Sequence, residues 1–64
     1  MITIYTQKDV DNNSKYEVEL RGLSTDEKPK TIKNAPIENG STFIEIDTGK
    51  FYMYDLENEQ WNEV

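Results

Sequence analysis

The stretch "GSTFIEIDTGKFYMYD", residues 40–55, decides the fold of this chain. β-branched and aromatic residues crowd both sides of the sequence "DTGK". Apolar residues recur there at every second position, which is the period of a β-strand. Gly49 can adopt the left-handed backbone that a tight turn requires. The stretch therefore predicts a β-hairpin that carries apolar side chains on both of its faces.

Two turn geometries fit this hairpin, and the first is a two-residue loop at residues 48–49. It pairs Ile46 with Phe51 and Ile44 with Met53. The opposite face of the hairpin then carries Phe43, Glu45, Tyr52 and Tyr54.

The second geometry is a type I turn over residues 47–49, with its glycine left-handed as a G1 bulge. It pairs Ile44 with Tyr52 and Ile46 with Lys50, so the alternation after the turn is reversed. We favour this geometry because the β-branched threonine of the turn resists a positive φ. The face opposite Ile44 then carries Phe43, Glu45, Phe51 and Met53.

Either geometry leaves apolar side chains on both faces of the hairpin. A strand that is hydrophobic on both faces usually lies between two layers, and a chain this short offers little material for a second layer. We therefore expect a second protein chain to cover one face. The candidate interface residues are Phe43, Phe51, Tyr52, Met53 and Tyr54.

The first third of the chain predicts another hairpin. The sequence "ITIYT" is typical of a short strand, and "YEVELRGL" alternates between apolar and charged residues. Tyr16, Val18 and Leu20 should then share one buried face. The Asp- and Asn-rich sequence "KDVDNNSK" between the two strands is typical of a turn.

Residues 24–41 contain both prolines and show no periodicity. We interpret them as an extended connection that Ile32 and Ile37 anchor to the core, although a functional loop is the alternative for a segment of this length. Beyond the central hairpin, "ENEQ" predicts a turn and "WNEV" a short last strand. Trp61 is then the expected main core residue.

These patterns predict an all-β fold. We expect a small antiparallel sheet of about five short strands, made of two hairpins and a short C-terminal strand joined by the long proline-containing connection. The length predicts a single domain over residues 1–64. Its expected parts are an N-terminal hairpin (1–23), the extended connection (24–41) and a C-terminal β meander (42–64).

Composition argues against several functional classes. The 64 residues include no cysteine and no histidine and carry a net charge of −6. This acidity argues against nucleic acid and membrane surfaces as partners, since both require clustered Lys or Arg. Residues 42–64 hold six acids and one lysine, a net −5. The first residues lack the basic and apolar segments of a signal peptide, so we expect no export.

No pattern for catalysis or for cofactor or metal binding stands out. Without histidine or cysteine there is no nucleophile–base arrangement, and the serines lie in turn-like contexts. Glu45 and Asp47 alternate on one strand, as acid pairs do by chance in an acidic chain. The sequence "DLENEQWNE" lacks the spacing of a calcium loop, and "DTGK" lacks the frame of a phosphate loop. We therefore predict no enzyme activity, no cofactor and no metal.

Two stretches resemble a known family. "GLSTDEKPKT" (residues 22–31) and "NGSTFIEIDTGKFYMYDLENEQWNEV" (residues 39–64) are similar to small structural proteins of tailed phages and prophages of Gram-positive bacteria. The shared features are the Ser-Thr-Asp-x-Lys-Pro segment, the Asp-Thr-Gly-Lys turn, the aromatic strand and a tryptophan near the C-terminus. A similar unit is present in phage head-fibre proteins. The first 21 residues carry none of these motifs.

The resemblance implies a non-enzymatic virion protein that oligomerises or docks on a larger head or fibre assembly. Its expected partners are virion proteins and further copies of itself. Its expected location is the virion, and the host cytoplasm during assembly. The alternative is a small acidic phage-encoded inhibitor that mimics nucleic acid and binds a basic host protein, which the charge of residues 42–64 favours.

Overall fold

The computed structural model describes residues 1–10 and 14–64, and these residues form strands and turns without a helix. The all-β prediction is therefore confirmed. Seven strands lie in the described residues: β1 (Thr3–Val10), β2 (Lys15–Gly22), β3 (Thr31–Ile32), β4 (Ala35–Pro36), β5 (Thr42–Glu45), β6 (Phe51–Asp55) and β7 (Gln60–Glu63). Residues 11–13 of the predicted first turn lie outside the described residues.

Five strands form one sheet in the order β1-β2-β5-β6-β7, and β3 and β4 form a separate two-stranded ribbon. β2 and β5 run parallel, so the prediction of a purely antiparallel sheet is wrong and the sheet is mixed. Parallel neighbours require a crossover of a dozen or more residues. The connection over residues 24–41 is that crossover, and its length carries the chain back to the start of β5.

The core lies between the sheet and this crossover. Its fully or almost fully buried apolar residues are Val18, Leu20, Ile37, Phe43 and Tyr54. Ile37 comes from the crossover and Ile32 packs beside it, which confirms the predicted anchors. Trp61 is only half-buried and packs against this cluster, so the largest fully buried side chain is that of Phe43.

The N-terminal hairpin is confirmed, and it is longer than the sequence pattern indicates. β1 runs to Val10, well into the stretch that we assigned to the turn, and pairs with β2 up to Lys15. Val18 and Leu20 are buried while Glu17 and Glu19 are exposed, as the alternation predicts. A bulge near the start of β1 shifts the register between residues 4 and 6.

The β5–β6 hairpin has neither of the two predicted registers. Ile44 lies opposite Phe51, and Phe43 lies opposite Tyr52. The loop is longer than either prediction: it spans residues 46–49, and the N–H of Gly49 donates to the carbonyl of Glu45 at 2.7 Å. The favoured G1-bulge pairing is therefore wrong. The two-residue alternative gives the wrong residue pairs but assigns each side chain to the correct face of the hairpin. This is because a shift of two residues in register leaves every side chain on the same face.

The next hairpin repeats this loop design. Asp55 pairs with Gln60, so residues 56–59 also form a four-residue loop. In both loops the last residue is left-handed, with φ 76° at Gly49 and φ 50° at Glu59. Four-residue loops of this kind are commonly built around a type I turn.

Candidate interaction face

The core side of the sheet is covered, and the opposite side is open. We call this opposite side the outer face. The alternation of strand side chains places Ile44 on it, opposite Phe51, and Met53 beside them opposite Thr42. Val64 joins this group because its N–H donates to the carbonyl of Phe51. The apolar part of the outer face is therefore Ile44, Phe51, Met53 and Val64.

Three of the four residues in this apolar part are exposed, and Ile44 is half-buried. Phe51 is 56% exposed, Met53 45% and Val64 78%, whereas Phe43 on the core side is fully buried. One face of the hairpin is thus buried and the other is largely exposed. Apolar residues therefore occupy both faces of the hairpin, as the sequence predicts.

The five candidate interface residues divide between the two faces. Phe51 and Met53 lie on the outer face, Phe43 and Tyr54 lie in the core, and Tyr52 is half-buried beside the core. Phe43 and Tyr54 therefore present no free surface to a partner. The favoured register had placed Phe43 with the exposed pair, and the observed register separates them. Of the five candidates, Phe51 and Met53 are therefore the two with substantial exposed surface.

The sequence pattern missed an aromatic and a cation that extend the outer face. Arg21 is paired with Ile44, and its guanidinium carbon lies 3.8 Å from the centroid of the Tyr5 ring. Within the described residues, the Nε atom of Arg21 is buried and has no hydrogen-bond partner. The visible signal was the alternation of β2, which puts Arg21 on the side away from the core.

Charge is distributed unevenly around the outer face. Its apolar part contains no acid, although residues 42–64 carry a net −5. Glu45 lies on the core side, and Glu57 and Glu59 lie in the loop after β6. The apolar part of the outer face thus holds no charged side chain, and charges of both signs flank it on the same face, Arg21 opposite Ile44 and Glu19 opposite Thr42.

On the core side, Glu45 forms a buried ion pair. Lys28 from the crossover donates a 2.7 Å hydrogen bond to the Glu45 carboxylate, and the Thr48 hydroxyl donates another at 2.7 Å. The Lys28 ammonium also lies over two aromatic rings, 4.3 Å from the centroid of Tyr52 and 4.9 Å from that of Phe43. The bonds from Lys28 and Thr48 hold the pKa of Glu45 below its ordinary value of 4.5.

Other acids of the C-terminal third also serve the fold. Asp47 accepts hydrogen bonds from the backbone N–H and the hydroxyl of Ser24, which lower its pKa. Asp55 accepts hydrogen bonds from the side-chain amide and the backbone N–H of Asn58, and these bonds lower the pKa of Asp55. Half of the six acids in residues 42–64 thus have internal partners. A nucleic-acid mimic would have to use the exposed remainder, Glu57, Glu59 and Glu63.

The described residues offer no built site for a small ligand or an ion. A shallow groove of about 220 Å³ lies beside β1 and β2, lined in part by Lys8, Glu17 and Glu19. This is smaller than the roughly 300–1,000 Å³ of ligand pockets. In residues 1–10 and 14–64, no group of three acidic side chains has metal-binding geometry. Nor does this part of the chain contain a helix of the length and apolarity needed to cross a membrane.

The chain was compared with known families, curated proteins and solved structures. No family model matches it. No curated protein and no solved structure matches it either. The outer face and the pattern of buried and exposed residues therefore have to support any functional proposal.

Proposed function

We propose that this chain is a non-enzymatic structural protein of a phage virion. In this proposal it is a small adaptor that docks on a larger head or fibre assembly through the apolar part of its outer face. The exposure of Phe51 and Met53 on an uncovered sheet face is the observation that carries the proposal. The family resemblance of residues 22–31 and 39–64 supplies the class of assembly.

Contact between this apolar face and water is unfavourable. Full burial of a Phe or Met side chain contributes about 1.5–3 kcal/mol, and these two side chains are half exposed. Docking would therefore gain on the order of 1 kcal/mol from each of them. Aromatic residues at the centre of an interface commonly dominate its affinity. None of the four residues of this apolar part is charged, so their burial requires no desolvation of a charge.

Co-purification with particles tests the proposal. The wild-type chain and a Phe51→Asp variant would each be expressed in the bacterium that carries the gene while particles form, and density-gradient-purified particles would be analysed by mass spectrometry. We expect the wild-type chain in the particle fraction and a strong depletion of Phe51→Asp. The same depletion is expected for Met53→Asp.

Ile4→Asp is the matched control. Ile4 is 43% exposed but lies opposite Leu20, on the core side of the sheet. It therefore receives the same apolar-to-acid change without altering the outer face. Absence of the wild-type chain from particles would refute the proposal. Equal retention of all variants would place the docking surface elsewhere.

A further inference from the structure

The free edge of β1 carries an inference that goes beyond the proposed function. Every residue of β1 from Thr3 to Asp9 is exposed, and only Val10 is half-buried. β1 is an outermost strand of the sheet, so one row of its backbone groups has no strand beside it in the described residues. Eight residues is long for an edge strand, and such an edge is a template for pairing with another chain.

Hydrogen bonds on β2 identify which β1 residues point outward. The carbonyl of Tyr16 accepts a hydrogen bond from the N–H of Glu38, and the N–H of Val18 donates to the hydroxyl of Ser41. Both bonds lie on the side of β2 that faces away from β1. Backbone groups of the intervening residues, Glu17 and Glu19, must therefore face β1.

The register then fixes the partners on β1. Glu17 lies opposite Lys8 and Glu19 lies opposite Thr6, so these two β1 residues direct their backbone groups inward to β2. Gln7, which lies between them, directs its N–H and C=O to the free edge.

Charge decides which edge of the sheet can join a second copy. β1 contains one lysine and one aspartate and is neutral, whereas the edge strand β7 ends in Glu63 and follows a loop with Glu57 and Glu59. Two β7 edges would repel each other. Pairing of two β1 strands would instead put the acidic strands at the far ends of the joined sheet. A second copy of this chain therefore fits the β1 edge electrostatically.

Only one register of two antiparallel β1 strands suits both the hydrogen bonds and the charges. Residues whose backbone groups point to the free edge must pair with residues of the same kind on the other copy. The possible registers are therefore centred on Tyr5, Thr6, Gln7, Lys8 or Asp9. A register centred on Lys8 or Asp9 places that charged residue directly opposite its own copy. A register centred on Tyr5 or Thr6 falls on the bulge of β1. Centring on Gln7 sets Gln7 opposite its own copy.

We propose that two copies of this chain dimerise through antiparallel pairing of their β1 strands, centred on Gln7, into one continuous ten-stranded sheet. In this arrangement Thr6 of each copy lies opposite Lys8 of the other. The pairing leaves the apolar part of the outer face uncovered, because it uses the edge of the sheet. The dimer would thus present two docking faces on the same side.

Substitution of Thr6 provides a test in which two effects have opposite signs. Within one chain Thr6 lies opposite Glu19, so Thr6→Lys should stabilise the monomer and Thr6→Glu should destabilise it. Across the dimer Thr6 lies opposite Lys8. Thr6→Lys should therefore weaken the dimer and Thr6→Glu should strengthen it, each by roughly 2- to 30-fold in Kd because the pair occurs twice.

Sedimentation velocity over a micromolar-to-millimolar series would measure the dimer, and thermal unfolding monitored by circular dichroism would measure the monomer fold. Net charge alone predicts the reverse order, since Thr6→Lys reduces the −6 charge. Asn62→Lys and Asn62→Glu on β7 are the matched controls and should follow net charge. Gln7→Pro removes an outward N–H and leaves the ladder to β2 intact, so it should abolish the dimer while the circular dichroism spectrum is retained.

Amide exchange gives an independent measurement. The Gln7 amide should exchange rapidly at low concentration and become protected as the dimer forms, whereas the Lys8 amide is protected by β2 throughout. A wild-type chain that stays monomeric over the series would overturn the proposal. A dimer that persists in Gln7→Pro, or that follows net charge in the Thr6 variants, would also overturn it. These tests use the purified chain, so their failure is distinct from failure to enter particles.

Discussion

Lys28 donates a 2.7 Å hydrogen bond to Glu45, and this pair joins the crossover to the covered side of the β5–β6 hairpin. Both side chains are largely shielded from solvent, with 18% and 5% of their surfaces exposed. Two aromatic rings lie beneath the ammonium group. The pair therefore anchors the layer that covers the core, and its loss should uncouple that layer from the sheet.

The first prediction concerns coupling between these two residues. Lys28→Met keeps an unbranched chain over the rings but removes the cation, which leaves the Glu45 carboxylate buried without its main partner. We expect a lower melting temperature for Lys28→Met and for Glu45→Gln. The double variant should lose less than the sum of the two losses, because each single change already breaks the same interaction. Strictly additive losses in thermal unfolding would contradict the prediction.

The second prediction is an acid-dependent loss of stability. The pKa of Glu45 is lowered mainly by the bond from Lys28, and that of Asp47 by the bonds from Ser24. A carboxyl whose pKa is lower in the folded state contributes stability above its unfolded pKa. It loses this contribution as the pH falls through the folded value. Stability should therefore decline below about pH 4.5 and continue to decline below pH 3.8, the ordinary values for Glu and Asp.

Urea unfolding as a function of pH measures this decline. Glu45→Gln and Asp47→Asn should be less stable than the wild type near neutral pH and should lose less stability on acidification. Glu57→Gln, at an exposed loop position, is the matched control, because it removes one carboxylate and leaves the hydrogen bonds of Glu45 and Asp47 in place. A Glu45→Gln variant with an unchanged pH profile would refute the assignment.

The alternation of apolar residues predicted most of the sheet. The two hairpins and the burial of Val18 and Leu20 follow from period-two patterning, whereas Ile32 and Ile37 stood out as the large apolar residues of a connection without periodicity. The parallel pairing of β2 with β5 did not follow from it. Local patterns contain no information on strand direction, but the 18-residue separation between the hairpins was long enough to permit a crossover.

The hairpin register depended on the loop and not on the strands. Gly49 is left-handed as expected, yet it closes a four-residue loop and not a bulged three-residue turn. Because a change of one residue in register exchanges the two faces, this error moved Phe51 and Met53 to the wrong side. Glu45, an acid on the same face as Phe43, was a visible signal that the core side required a cation from elsewhere in the chain.

The third prediction separates the two faces energetically. Phe43 is fully buried at the centre of the core, so Phe43→Ala should cost about 3–5 kcal/mol of unfolding free energy. Phe51 is more than half exposed, so Phe51→Ala should stay within about 1 kcal/mol of the wild type. Urea unfolding of both variants measures the difference. Similar losses at the two positions would show that the outer face is part of the folding core.

The fourth prediction concerns strain in the loop after β6. Glu59 has a φ of 50°, a left-handed conformation that costs a residue with a Cβ roughly 1–2 kcal/mol relative to glycine. The equivalent position in the loop after β5 is Gly49, with φ 76°. Glu59→Gly should therefore relieve strain, although glycine also gains entropy in the unfolded chain. We expect a net stabilisation of about 0.5–1 kcal/mol.

A matched pair of variants isolates the backbone contribution. Glu57→Gly, in the same loop, removes the same charge without a left-handed φ to relieve, so it should destabilise the fold. Gly49→Ala is the converse change and should also destabilise the fold, because it introduces a Cβ at a left-handed position. No heavy atom outside the adjacent residues lies within 4 Å of that Cβ, so the loss reports the backbone conformation and not a steric clash. Chemical denaturation of the three variants would rank Glu59→Gly above the wild type and the other two below it. If Glu59→Gly and Glu57→Gly shift stability equally, charge removal explains the effect and the strain at Glu59 is not relieved.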